Sequence, residues 1–215
     1  MAEKIHELLT PDNFTLVLVD YQPQMAFAVH SIDGQTLVNN AVGLAKAAKL
    51  FKVPTILTTV AEKSFSGPMF PQLADVYPGE KPIDRTTMNL WEDKNVRKAI
   101  DKIGRKKILL AGLWTEICIA LPTIQALESG YEVYFVADAC GDVTTDAHDL
   151  AIQRMIQAGA VPMTWLQVML ELQRDWARSE TYHGVMDIAK EHAGAYGIGI
   201  VYAGFALGKE AKEAA

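Results

Sequence analysis

Cysteine is scarce in this chain: there are two, Cys118 and Cys140, with no spaced framework around them, and residues 1–8 (MAEKIHEL) lack the apolar core of a signal peptide. A disulfide scaffold is excluded on that count, and a reducing, cytoplasmic compartment is expected. No basic run longer than the three residues Arg105, Lys106 and Lys107 occurs, and the formal net charge is −6. Phosphate backbones and anionic membrane surfaces need clustered cations, so neither nucleic acid nor membrane is an expected partner. The apolar run at 195–207 (AYGIGIVYAGFAL) is too short for a membrane span of about 20 residues. The turn after the first apolar run, DYQPQM, has no glycine-rich phosphate loop, which disfavours a dinucleotide oxidoreductase. HxH and CxxC spacings are also missing, and His6, His30, His148, His183 and His192 are scattered, so no metal and no cofactor is expected. Of the five, His30 alone falls in a loop that could line a pocket.

What is present is a globular composition, 50% hydrophobic and 21% charged over 215 residues with no linker, which predicts a single domain over 1–215. Strand-length apolar runs alternate with longer segments of helical period. Strands are predicted at 14–20, 53–60, 83–87, 107–112, 132–137 and 161–165, and helices at 36–52, 93–103, 117–129 and 144–158. The first two strands are almost continuously apolar, so both faces must be covered. The expected fold is therefore a three-layer α/β/α, doubly wound arrangement on a mostly parallel six-stranded sheet, with ligands bound at the carboxyl ends of the strands. Residues from about 166 to 215 read as a helical extension used in oligomerisation, although Gly197, Gly199 and Gly204 weaken a plain helix there.

Three residues at strand ends carry chemistry. Cys118 follows the fourth strand at the start of a helical pattern, where N-terminal amides favour thiolate over thiol; a small buried core residue is the equally weighted alternative. Asp20 ends the first strand after LVLV and is costly to bury without a partner; a turn-capping role is its alternative. Arg85 lies at the end of the short third strand, where a surface or ion-pair role would be ordinary. Cys140 lacks the helix-start setting and reads as structural.

With these residues in view, LVLVDYQPQM, DRTTMNLWED and GLWTEICIALPTIQALESGYEVYFVADAC together resemble the isochorismatase-like cysteine hydrolases, over roughly residues 14–176. IDRTTMN, MTW and ELQRDW are similar to the YcaC-like branch. The resemblance implies a catalytic triad of Asp20, Arg85 and Cys118, in which Asp20 moves the proton, Cys118 attacks a carbonyl to form an acyl thioester, and Arg85 stabilises negative charge. The superfamily usually has lysine at the position of Arg85. Arginine does not deprotonate in a protein, so only an electrostatic or positioning role survives. The resemblance also implies a cis peptide between Leu113 and Trp114, an oxyanion loop built from Leu113, Trp114 and Cys118, and octameric assembly in the nearest branch. Nicotinamidases of the superfamily hold a metal through histidines, but residues 60–70 (VAEKSFSGPMF) contain none.

Tyr21, Phe27, Trp91, Trp114 and Phe65 or Phe70 are candidates for an apolar substrate slot, with a core role the equal alternative for each. The 65–70 stretch is the candidate lid, and Thr86 and Asn89 are candidate polar contacts. The expected function is a metal-free cysteine hydrolase acting on a small carboxamide or related C–N bond. A thiol redox protein and a small-molecule-binding protein without catalysis are the alternatives.

Overall fold

The structure is a computed structural model that describes residues 7–208; His6 and the last seven residues of the expected extension lie outside them. Six strands, β1 (Phe14–Val19), β2 (Thr55–Val60), β3 (Ile83–Arg85), β4 (Lys107–Gly112), β5 (Glu132–Val136) and β6 (Val161–Met163), form one sheet in the order β3-β2-β1-β4-β5-β6. Every pairing is parallel, so the sheet is wholly rather than mostly parallel. The order reverses between β1 and β4, the kind of switch point beside which open α/β sheets bind ligands.

The near-continuous apolar runs follow from two cores. Alternate side chains of a strand face opposite ways: Leu16 and Leu18 of β1 with Leu109 and Ala111 of β4 enter one core, while Val17 and Val19 with Ile108 and Leu110 enter the other. The first core is closed by α2 (Gly34–Leu50), α7 (Trp165–Gln173) and α8 (Ser179–His192), and the second by α4 (Lys94–Ile103), α5 (Ala120–Glu128) and α6 (Thr145–Ala158). Side-chain caps set helix starts: Asp33 accepts from the Thr36 amide, Asp93 from Val96, Thr144 from Ala147 and Thr164 from Gln167.

Two short helices, α1 (Pro23–Phe27) and α3 (Pro71–Val76), and a π-turn over Glu62–Ser66 were not expected from the sequence. Both helices are near one turn long and begin at proline, which suits the first helical position but leaves too few residues for a periodic pattern. The predicted helix from 117 also divides: a π-turn over Thr115–Ile119 precedes α5. At the other end, α9 (Ala195–Ala206) is helical despite its glycines. Gly197 is required by packing, since a Cβ there would collide with the Ala189 carbonyl of α8. Among the described residues, no helix is long and apolar enough to cross a membrane.

Candidate active site

β1 and β4 are neighbours, and Gly112 brings their ends unusually close. Its φ of 154° is open to glycine, and a Cβ would run into the Val19 carbonyl. The Leu113 amide donates to that carbonyl at 3.0 Å. Immediately beyond, Asp20 turns into the left-handed region with φ 55°, a conformation that aspartate tolerates better than most residues, and its amide donates to Thr58 O at 3.1 Å. The chain then runs on as Gln22, a buried residue absent from the sequence reading. Gln22 accepts from the Val60 amide at 2.8 Å and donates to Val60 O at 3.2 Å and to Gly67 O, tying the ends of β1 and β2 to the following loop.

Asp20, Arg85 and Cys118 come together at these strand ends. Arg85 Nη2 donates to Asp20 Oδ2 at 2.7 Å, with both side chains fully shielded from solvent. Burial pushes the Asp20 carboxyl upward, opposed first by the charge of Arg85 and then, more weakly, by the Cys118 thiol and the Thr58 hydroxyl. Oδ1 makes no short hydrogen bond of its own, which leaves it to the weaker approach of the Cys118 thiol and the Thr58 hydroxyl. It is an acceptor left available beside a thiol.

Of the two roles weighed for Cys118, activation by helix N-terminal amides and a small buried residue, burial dominates: together with the neighbouring Asp20 charge it pushes the thiol up to about 12, outweighing Arg85 and the backbone. Its own amide is committed to Trp114 O at 2.9 Å inside the π-turn. A thiol in this setting is protonated at rest and needs a base at the moment of attack. Cys140, fully buried, is likewise pushed to about 12 by desolvation but has no carboxylate–guanidinium pair bonded beside it.

The peptide between Leu113 and Trp114 is cis. Of the amides in this loop, Leu113 donates to Val19 O, Thr115 to Gly141 O, Glu116 to an Asp142 carboxylate oxygen, and Ile117 and Cys118 to Trp114 O. Trp114 N–H makes no backbone–backbone bond among the described residues and faces the Cys118 thiol, where it favours the ionised form against burial. Of the three residues expected to build an oxyanion loop, Leu113 and Cys118 have their amides bonded within the backbone, to Val19 O and Trp114 O. Asp142, which the sequence reading passed over, is fully buried and braces the turn: Oδ2 accepts from Glu116 N at 2.7 Å, and its carbonyl accepts from His30 N at 2.9 Å. His30 thus serves through its backbone, with its side chain exposed.

The pocket candidates separate into three kinds. Tyr21 is a core residue: it is wholly buried, packs on Phe70 and donates its hydroxyl to Ala139 O. Trp91 is also core, stacked edge-on against Tyr131 with its indole N–H on Ser129 Oγ, and Asn89 caps the 3-10 turn Leu90–Glu92 while donating to Gln125. Aromatic and polar residues near a strand end look alike in sequence whether they face a crevice or a helix. Phe27 and Phe65 are 78% and 61% exposed on α1 and the Glu62–Ser66 π-turn, which pack together. Phe70 is buried, so any lid character in that loop belongs to Phe65. Trp114 is half-buried with its indole on Met25 O at 2.8 Å.

Comparison with known proteins follows this geometry. A family model described as the isochorismatase domain matches residues 14–167. The chain is 37% identical over 169 residues to the probable hydrolase YcaC of Escherichia coli, covering 78% of this chain and 81% of that one. It is 29% identical over 168 residues to isochorismatase domain-containing protein 2 of Danio rerio, covering 78% and 82%. Two solved structures superpose with a TM-score of 0.89 at 34% identity: YcaC from Pseudomonas aeruginosa with hexane-2,5-diol and covalent acrylamide, covering 94% of this chain and 100% of that one, and the E. coli YcaC gene product, an octameric hydrolase of unknown specificity, covering 95% and 100%. The chain belongs to the isochorismatase family of hydrolases, in its YcaC-like branch.

Proposed function

We propose that the protein is a metal-free cysteine hydrolase that cleaves a small carboxamide or related C–N bond through an acyl thioester. The observation that carries this reading is the buried Asp20–Arg85 pair at 2.7 Å beside the Cys118 thiol, at the junction of β1 and β4. Asp20 Oδ1 takes the thiol proton as sulfur attacks the carbonyl carbon, and the carbonyl electron pair moves to oxygen, where Trp114 N–H is the available donor. As the tetrahedral centre collapses, the C–N bond breaks and Asp20 returns the proton to the departing nitrogen. Water then attacks the thioester, gives one proton to Asp20, and the C–S bond breaks to release the acid; Asp20 reprotonates the sulfur. Arg85 holds the carboxylate in place and offsets the charge that moves between oxygen and sulfur.

An upward-shifted Asp20 suits this cycle because a carboxylate that is more basic than usual transfers a thiol proton at lower cost. Covalent acrylamide in the P. aeruginosa relative supports a nucleophile of this kind, since acrylamide is an unsaturated amide that thiols add to. A peroxide-sensing role is the poorer reading, because such cysteines are exposed and of low pKa, whereas Cys118 is 2% exposed and pushed to about 12.

Assembly is proposed to use α9. Ile198, Tyr202 and Phe205 are 71%, 68% and 87% exposed along it, a patch that soluble chains bury against partners, and the E. coli relative is octameric. The two unpaired, buried cysteines and the acidic balance fit a reducing cytoplasmic setting and a small-molecule substrate, with no role for nucleic acid. Ammonia release from a panel of small amides by wild type and Cys118→Ala tests the function: turnover in the first and none in the second is expected, and equal turnover refutes it.

A further inference from the structure

The site holds more hydrogen-bond donors than it uses. Arg85 presents five N–H groups in a fixed fork, and Nη2 serves Asp20. Nε and Nη1, fully buried with the rest of the side chain, find no partner among the described residues. Two hydroxyls add to the surplus. Ser66 Oγ, on a residue with no solvent exposure, and Thr87 Oγ1 are also buried without partners.

Backbone geometry places these groups around the same strand ends. Val60 and Arg85 pair at the ends of β2 and β3. The Ala61 amide donates to Arg85 O at 2.8 Å, and Ser66 N donates to Ala61 O at 3.2 Å, so Ser66 closes a turn whose first residue is bonded to the Arg85 backbone. Asp84 fastens the same turn by accepting from the Glu62 amide at 3.1 Å and the Thr59 hydroxyl at 3.0 Å. Thr87 follows Arg85 by two residues. Buried donors, above all charged ones, are rarely left unpaired, because each forfeits its hydration. None of these donors is needed for the proton transfer between Cys118 and Asp20.

We infer that the substrate carries, beside the bond to be cleaved, a carboxylate that docks on the unused Arg85 donors and the hydroxyls of Ser66 and Thr87. This deepens the hydrolase reading and rests on it: the substrate class becomes short amides that bear a second, anionic end. Planar carboxylates match a guanidinium in geometry as well as charge. The charge count agrees with the catalytic cycle. While Asp20 holds the thiol proton in the tetrahedral intermediate, the Arg85 cation lacks that counter-charge, and a substrate carboxylate supplies one until the proton passes to the departing nitrogen.

The test separates binding from turnover. Oxamate, malonamate, succinamate and glutaramate are compared with the neutral amides acetamide, propionamide, butyramide and valeramide, reading protection of Cys118 from iodoacetamide by intact mass, together with the rise in Tm. At least one anionic amide is expected to protect at a concentration tenfold or more below its neutral counterpart. Arg85→Lys is expected to abolish that preference; in case it folds poorly, the Ser66→Ala/Thr87→Val double variant, with the triad intact, is expected to weaken it by tenfold or more. Equal protection by neutral and anionic amides, or an unchanged preference in the double variant, overturns the inference. Selective protection by carboxylates with no ammonia released from any amide upholds the anion site and refutes the hydrolase reading instead.

Discussion

Replacing Asp20 by asparagine separates two roles that a carboxylate beside a thiol plays at once. In the resting site it opposes ionisation of Cys118, whose thiol is held at about 12 by burial first and by the Asp20 charge second. At pH 8, four units below that value, about one molecule in 10⁴ carries the thiolate. Removing a unit charge about 4–6 Å away, at an effective dielectric constant near 20, is worth roughly 3–4 kcal/mol or about 2–3 pK units. Arg85, freed from its ion pair, then faces the sulfur alone. Asp20→Asn is therefore expected to raise the alkylation rate of Cys118 at pH 8 by about 100-fold or more, with the inflection of the pH–rate profile moving down. Amide turnover, which needs the base, is expected to fall by about 10²–10⁴. The assay is iodoacetamide labelling followed by intact mass across pH 6–10 (a range of about four units), alongside ammonia release. Alkylation that slows in step with turnover, or an unmoved profile, would refute the argument that Asp20 both suppresses the resting thiolate and acts as the base.

Other substitutions probe the supporting geometry. Arg85→Lys retains charge but loses the fork, and a loss of about 10–100-fold in kcat/KM is expected; a wild-type value would reduce Arg85 to a point charge. Gly112→Ala drives a Cβ into the Val19 carbonyl, so a loss of about 4 kcal/mol, or roughly 10 °C in Tm, is expected by calorimetry, and an unshifted Tm would contradict the close approach. Val201→Glu with Phe205→Glu, at positions 58% and 87% exposed, is expected to dissociate the assembly proposed through α9, read by analytical ultracentrifugation with circular dichroism unchanged; an unaltered sedimentation coefficient would refute that proposal.

The sheet was legible because each long strand had to feed two cores: Leu16 and Leu18 on one side with Val17 and Val19 on the other leave Thr15 as the single polar position in β1. Asp20 was legible for the same reason, as a charge directly after such a run. The neighbouring elements were not. The π-turn over Thr115–Ile119 has no periodic signature, and it decides that the Cys118 amide bonds to Trp114 O rather than facing the sulfur. Nor could the chain reveal that desolvation would outweigh helix amides at Cys118, because burial depends on residues from four separate strands and their loops. Gln22, Ser66 and Asp142 escaped notice as short polar side chains in loops; their importance lies in what they touch or fail to touch. Tyr21 and Trp91 stayed open in the opposite direction, since an aromatic beside a candidate acid or base fits core and crevice equally well until the packing is known.

The central claim is that Cys118 becomes acylated, and trapping that intermediate is its most direct measurement. Wild type, Cys118→Ala and Cys140→Ala are quenched in acid during turnover of an accepted amide, and the adduct is located by peptide mass mapping. An acyl group on Cys118 in wild type and in Cys140→Ala, absent together with turnover in Cys118→Ala, is the predicted result. Turnover that persists in Cys118→Ala, or an acyl group located on Cys140, would contradict the account.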